Sequence, residues 1–232
     1  MTAPVLEFDI PPYRLSGTVY GVLLNDPRQI AALGDAVLRA PYQSPPVHPV
    51  LQVKPRHTLA GEGAAVEVPA GVEALEMGAT LAIVIGRAVC RVPEASALDM
   101  VAGYTIANDI AVPLAAGARH YRPGVRFRAR DGFCPIGPRV TPAAEVPEPD
   151  ALRVLVRVDG VQVEESSTAG RTRGVARLIA DLTEFMTLRP GDLLLLGAAH
   201  DAPRARAGQT VSLEIDGLGR LTHHLVAEAG NA

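Results

Sequence analysis

Apolar residues fall in short runs along most of this chain and recur at helical spacing in only two places. Residues 18–24 form a short apolar strand that runs into Asn25-Asp26-Pro27, an N-cap followed by proline at the first helical position. Ile30, Leu33, Val37 and Leu38 then recur with the period of a helix, which predicts one over 27–39. Pro41, Pro45, Pro46 and Pro49 break the chain next. They predict a boundary between an N-terminal arm with a small strand–helix region (1–48) and a main domain (49–232). Residues 50–53 and 81–85 read as strands buried on both faces, and 66–68 as a shorter strand. A short helix over 95–100 precedes a strand over 101–110. Strands at 152–158 and 161–165 flank Asp159-Gly160, a dipeptide that supplies the positive φ of a tight hairpin turn. Val175, Leu178, Ile179, Leu182 and Met186 line one face of a second helix, stopped by Pro190-Gly191. Strands at 193–196, 211–215 and 221–226 finish the chain. Strand outweighs helix and no regular βαβ alternation appears, so the expected class is α+β, β-rich.

Composition narrows the function without fixing it. With 232 residues, 48% of them apolar, the chain can bury a substantial core. A net charge of −3 points to neither a nucleic-acid nor an acidic-membrane partner. The longest apolar runs, 81–86 and 193–199, are far too short to span a bilayer, and the opening residues show no signal-peptide pattern. Cys90 and Cys134 are widely separated, which fits incidental thiols and a cytoplasmic location.

Signatures of common chemistries are missing: no phosphate-binding loop, no Gly-x-Ser-x-Gly elbow and no Cys-x-x-Cys. Gly61-Glu62-Gly63 lacks the third glycine of a dinucleotide site and reads as a turn. His223 and His224 are adjacent in an expected strand, so they face opposite ways and cannot chelate one ion.

Five segments together carry a resemblance. They are Gln52-Val53-Lys54-Pro55-Arg56, Leu81-Ala82-Ile83-Val84-Ile85-Gly86, Val101 to Asp109 (ending Ala107-Asn108-Asp109), Arg130-Asp131-Gly132-Phe133-Cys134-Pro135-Ile136-Gly137, and Glu184 to Asp192. In this order and spacing the chain resembles the fumarylacetoacetate hydrolase superfamily over about residues 16–229. The resemblance implies a mixed β-roll, usually assembled as a dimer or larger. It also implies a divalent cation, Mg²⁺ or Mn²⁺, held by a Glu-x-Glu before the apolar strand and by the Asp of the Asn-Asp element. Such an ion chelates a 2-oxo acid and stabilises the enolate formed when a C–C or C–H bond breaks.

Against that pattern the chain departs coherently. Gly78 and Thr80 occupy the two glutamate positions, which leaves Asp109 as a remnant of the trio. Glu76 shares the strand face of Gly78 but lies about 7 Å further along, too far to replace it simply. Gln29 stands where hydrolase members carry a basic histidine, Pro113 where an arginine follows Asn-Asp, and Arg128 where a catalytic lysine is usual. Leu196-Gly197-Ala198 replaces a Thr-Gly-Thr turn. These departures resemble the N-terminal half of bifunctional isomerase/decarboxylases of 4-hydroxyphenylacetate breakdown, in which the other half bears the metal. A chain of this kind is expected to bind no metal itself and to pair with a second copy or a metal-bearing paralogous subunit.

The expected site follows from the resemblance and from charge. Arg119, Arg122, Arg126, Arg128 and Arg130 with His120 form a basic run that either receives a 2-oxo-dicarboxylate or pairs with acids at an interface. Arg128 and Lys54 are the catalytic candidates; Arg122, Gln29 and Asn108 are the substrate-binding ones. Lys54 ends an apolar strand and either presents its ammonium to a substrate carboxylate or snorkels to solvent. Asp109 is either a remnant ligand or a cap on the following turn. The expected function is a subunit of 5-oxopent-3-ene-1,2,5-tricarboxylate decarboxylase/2-hydroxyhepta-2,4-diene-1,7-dioate isomerase. The alternatives are a catalytically silent subunit supporting a metal-bearing partner, and a stand-alone hydrolase with a degenerate site.

Overall fold

The computed structural model describes residues 17–40, 43–113 and 124–229. The path starts with β1 (Val19–Leu23), α1 (Pro27–Leu33), β2 (Val50–Lys54) and β3 (Leu59–Ala60). β4 (Ala65–Val68) and β5 (Leu75–Glu76) lead into the long β6 (Ala79–Ile85) and β7 (Val101–Asn108). α2 (Val125–Arg128), β8 (Cys134–Pro135) and β9 (Thr141–Pro142) precede the hairpin of β10 (Arg153–Val158) and β11 (Val161–Ser167). α3 (Val175–Thr183), β12 (Leu193–Leu195), β13 (Arg204–Ala205), β14 (Thr210–Ile215) and β15 (Gly219–Ala227) complete it.

Two sheets dominate: six strands in the order β2-β1-β12-β6-β7-β9, and five in the order β11-β10-β14-β15-β4. Parallel pairs, β1 with β12 and β4 with β15, are set among antiparallel ones, as a mixed β-roll requires. β6 explains the layering. Its Leu81, Ile83 and Ile85 join the core shared with β10, β14, β15 and α3, while Ala82 and Val84 pack into a second cluster with Leu59, Cys134 and Leu193. A strand covered on both faces must be apolar throughout, and that is how its sequence reads. α3 closes the larger core with Val175, Leu178, Ile179 and Leu182, the stripe its spacing predicts.

The hairpin turn is as expected: Asp159 and Gly160 both take positive φ, +49° and +82°. Three elements differ from expectation. The first helix stops at Leu33, because Gly34 adopts φ +51° and the chain tightens into a 3₁₀ turn over Gly34–Leu38. Residues 95–100 form two 3₁₀ turns, Glu94–Ser96 and Leu98–Met100, instead of one helix. The second helix ends at Thr183, short of Met186. β1, placed by sequence in the small N-terminal region, hydrogen-bonds both β2 and β12, so one sheet runs across residues 48 and 49. No described helix is long and apolar enough to cross a membrane.

Candidate active site

A cavity of about 880 Å³ opens beside the ends of β1, β5 and β7. Its walls come from Leu23 and Leu24, from Gln29 on α1, from the proline-rich segment 44–47, from Glu76, Gly78 and Asp109, from Arg128 on α2, and from residues 198–202 and Arg204. Leu24 and Asp201, two of these wall residues, hold φ +58° and +60°, conformations that non-glycine residues adopt only when the surrounding structure enforces them.

Strand alternation delivers Asp109 to the cavity. Asn108, at the end of β7, turns into the interior, where its amide contacts Met77 Sδ (3.5 Å) and His223 Nε2 (3.2 Å). The next residue therefore faces the other way, and its N–H is fixed by the carbonyl of Gly78 at 2.9 Å. The carboxylate of Asp109 is buried and densely compensated. Lys54 Nζ contacts Oδ1, Arg128 Nη1 lies 3.3 Å from Oδ2, and Gln52 Nε2 donates to Oδ2 at 2.6 Å. Gln52 reaches it across Gly21, its register partner on β1; a Cβ at Gly21 would fall 2.7 Å from Gln52 Nε2. Burial pushes the Asp109 carboxyl up, but the charges of Lys54 and Arg128, and hydrogen bonds from Lys54 and Gln52, outweigh it and hold the group below the usual carboxylate range. Two cations thus meet one carboxylate, and the inner wall keeps one net positive charge.

Along segment 198–202 of the wall, the His200 N–H donates to Asp26 Oδ2 at 2.9 Å, and His200 Nε2 stands 3.3 Å from Asp201 Oδ1. Asp26, the N-cap of α1, also binds Arg28 and the buried Arg171. Burial alone would raise its pKa; the bonds from Arg28 and from the His200 N–H, with the charge of Arg171, instead hold it far below the usual carboxylate range. Asn25 beside it stitches β1 to residues 173 and 196 through Arg173 and Leu196. Arg204 and Glu76 pair at 3.3 Å across β13 and β5.

Of the residues expected at the site, Arg128, Gln29, Gly78 and Asp109 line the cavity. Lys54 does not snorkel to solvent: its side chain is 1% exposed, held on Asp109 and on the Arg128 carbonyl at 3.1 Å. Asn108 is not among the cavity-lining residues; its side-chain nitrogen contacts Met77 and His223 while its buried Oδ1 has no partner among the described residues. Thr80 is buried and accepts the Gly197 N–H at 3.0 Å. Arg119, His120 and Arg122 lie outside the described residues. The basic run divides its work: Arg128 faces Asp109, Arg130 pairs with Glu228 and Arg126 is exposed. Sequence reasoning passed over His200, Asp201 and Arg204. Their only signal was a His-Asp pair soon after the turn at Leu196-Gly197-Ala198.

The donor set does not fit a divalent cation. Among the described residues no three His, Cys, Asp or Glu side chains converge as ligands, and Asp109 is already taken by two cations and an amide. Glu76, the nearest further carboxylate in sequence, is held by Arg204. Restoring a side chain at Gly78 is blocked, because its Cβ would fall 2.5 Å from the Asp109 carbonyl oxygen and 3.2 Å from Ala198 Cβ.

Comparison with known proteins agrees with this architecture. Residues 18–226 match the family described as fumarylacetoacetate (FAA) hydrolase C-terminal. The 4-hydroxyphenylacetate degradation bifunctional isomerase/decarboxylase of Salmonella dublin is 35% identical over 214 residues, covering 92% of this chain and 48% of that protein. The chain spans about half the length of such curated relatives. Among solved structures, 5-carboxymethyl-2-hydroxymuconate delta-isomerase from Mycobacterium smegmatis superposes with a TM-score of 0.76 at 28% identity, covering 94% of this chain and 82% of the other. Fumarylpyruvate hydrolase from Pseudomonas aeruginosa, solved with Mn²⁺ and pyruvate, gives 0.73 at 27% identity, covering 91% and 90%.

Proposed function

The chain belongs to the fumarylacetoacetate hydrolase family, and from that premise we propose that it is a 2-oxo-dicarboxylate-binding subunit of a decarboxylase/isomerase acting in homoprotocatechuate catabolism. The reactions are those of 5-oxopent-3-ene-1,2,5-tricarboxylate decarboxylase and 2-hydroxyhepta-2,4-diene-1,7-dioate isomerase. The observation that carries the reading is the surplus cation on the inner wall: Lys54 and Arg128 against the single carboxylate of Asp109. Arg128 is partly exposed to the cavity, so its charge is open to an anion there, and a ligand carboxylate or enolate oxygen is such an anion. Of the two cations, Arg128 is the one that lines the cavity, and its planar fork suits a carboxylate. Lys54 and Gln52 act behind it, keeping Asp109 ionised and Arg128 aimed. One dienolate serves both reactions: loss of CO₂ next to a conjugated 2-oxo acid forms it, and reprotonation at another carbon isomerises it.

The chain spans about half the length of the curated relatives it matches, and the assembly we propose is this subunit with a paralogous, metal-bearing partner, or with a second copy of itself. A second reading, a catalytically silent subunit, is favoured by the closed approach of Gly78 to Asp109. Turnover of 2-hydroxyhepta-2,4-diene-1,7-dioate, by this chain alone and mixed with the paralogue, separates the two. The proposal expects loss of turnover in the mixture when Arg128→Ala is introduced here. Undiminished turnover in that mixture would establish the silent subunit instead.

A further inference from the structure

The cavity needs a group that moves a proton between carbons, and its charged residues can be tested one by one for that task. Asp109 is held by Lys54, Arg128 and Gln52, so its basicity is suppressed. Glu76 is paired with Arg204. Arg128 and Arg204 stay protonated and cannot act as bases. What is left among the described wall residues is His200 with Asp201. Imidazole is the side chain suited to both accepting and donating a proton near neutrality. The backbone of the pair is held in place: the His200 N–H is anchored to the buried Asp26, which Arg28 and Arg171 fix in turn. Asp201, at φ +60°, has its exposed carboxylate 3.3 Å from His200 Nε2, and both residues line the cavity.

Resting on the function proposed above, we propose that His200 is the acid–base group of this cavity, with Asp201 as its positioning residue, acting on the carbon next to the keto group of a bound 2-oxo acid. The imidazole takes a proton from C3. The C–H electron pair becomes the C2–C3 π bond, and the carbonyl π pair moves onto the keto oxygen, whose charge the surplus cation of the inner wall offsets. The imidazolium then returns the proton to C3 or, where a C4–C5 alkene extends the enolate, to C5. Return to C3 is exchange and return to C5 is isomerisation; neither needs an oxidant or a co-reactant.

The experiment is solvent exchange of the C3 protons of 2-oxoadipate in D₂O with EDTA, followed by proton NMR, beside calorimetric binding of the same compound. Wild type is expected to accelerate exchange, and His200→Gln to slow it by roughly 100-fold while changing affinity by no more than about twofold. The structural bond of His200 is made by its backbone, so the glutamine variant keeps it, and its thermal melt is expected to match wild type. Asp201→Asn is expected to slow exchange by roughly 10-fold with affinity unchanged, because the imidazole loses the carboxylate that orients it, and Asp201→Glu to recover part of that loss. Unaltered exchange in His200→Gln overturns the assignment. Wild type that binds 2-oxoadipate but exchanges nothing also overturns it, while leaving the anion-binding function standing. Wild type that fails to bind removes both.

Discussion

The carboxylate of Asp109 lies where water is excluded, and the behaviour of the cavity turns on how that charge is compensated. Lys54 supplies the first counter-charge from a fully buried position; without it the buried carboxylate keeps only the partly exposed Arg128, at 3.3 Å, and Gln52. Lys54→Met is expected to cost about 3 kcal/mol, read by urea denaturation. Adding Asp109→Asn to Lys54→Met removes the weakly compensated charge and is expected to recover most of the loss. A double variant no more stable than the single one would mean that Lys54 acts through packing instead. Gly78 makes the complementary point. A glutamate there drives Cβ against the Asp109 carbonyl, and the overpacking is expected to lower stability by about 1–3 kcal/mol. Gly78→Glu is also expected to gain no divalent ion by elemental analysis, because Lys54 and Arg128 already hold Asp109. One equivalent of Mg²⁺ retained by that variant would refute this reading of the site.

At the scale of elements, β7 and β15 lock the two sheets through a polar contact in an apolar core. Asn108 and His223 meet at 3.2 Å with no exposure to solvent. Burial, with a smaller contribution from the charge of His224, pushes the His223 pKa down to about 4. The unfolded chain protonates this histidine near its ordinary value of 6.5, so it binds a proton across pH 6.5 to 4 that the folded chain refuses. Stability from this group is therefore complete above about pH 6.5 and lost as pH falls toward 4, by roughly 3 kcal/mol. Melting temperatures across that window are expected to fall more steeply in wild type than in His223→Gln; parallel slopes would count against it. The same elements show what the sequence could reveal. Period-2 and both-face apolar runs exposed β6, β7, β10 and the stripe of α3, because burial dictates their residues. Asn108 points away from the cavity that its neighbour Asp109 lines, because alternation sends the two in opposite directions. Gln52 reaching Asp109 over Gly21, and the His200 N–H reaching Asp26, depend on register between strands and on a non-local anchor. Neither leaves a local pattern.

For the molecule as a whole, the two sheets and α3 form a frame whose strand ends border the cavity, and the family's fold persists where its carboxylate trio does not. The segments that resemble the family are mostly core strands and turns, so they announce the roll. The cavity's own character comes from residues that depart from it. A guanidinium where a lysine is usual, and a buried ammonium on the remaining aspartate, form the wall to which we assign the proposed anion binding. Calorimetric titration of 2-oxoadipate in EDTA into wild type, Arg128→Ala and Arg128→Lys, beside thermal melts of all three, tests this most directly. Saturable binding to wild type is expected, at least ~10-fold weaker in Arg128→Ala from the loss of about 1.5–3 kcal/mol of charge-assisted hydrogen bonding, and partly recovered in Arg128→Lys, with the melts little changed. Equal affinity in wild type and Arg128→Ala, with a lowered melt in the variant, would contradict it and leave Arg128 as a structural partner of Asp109.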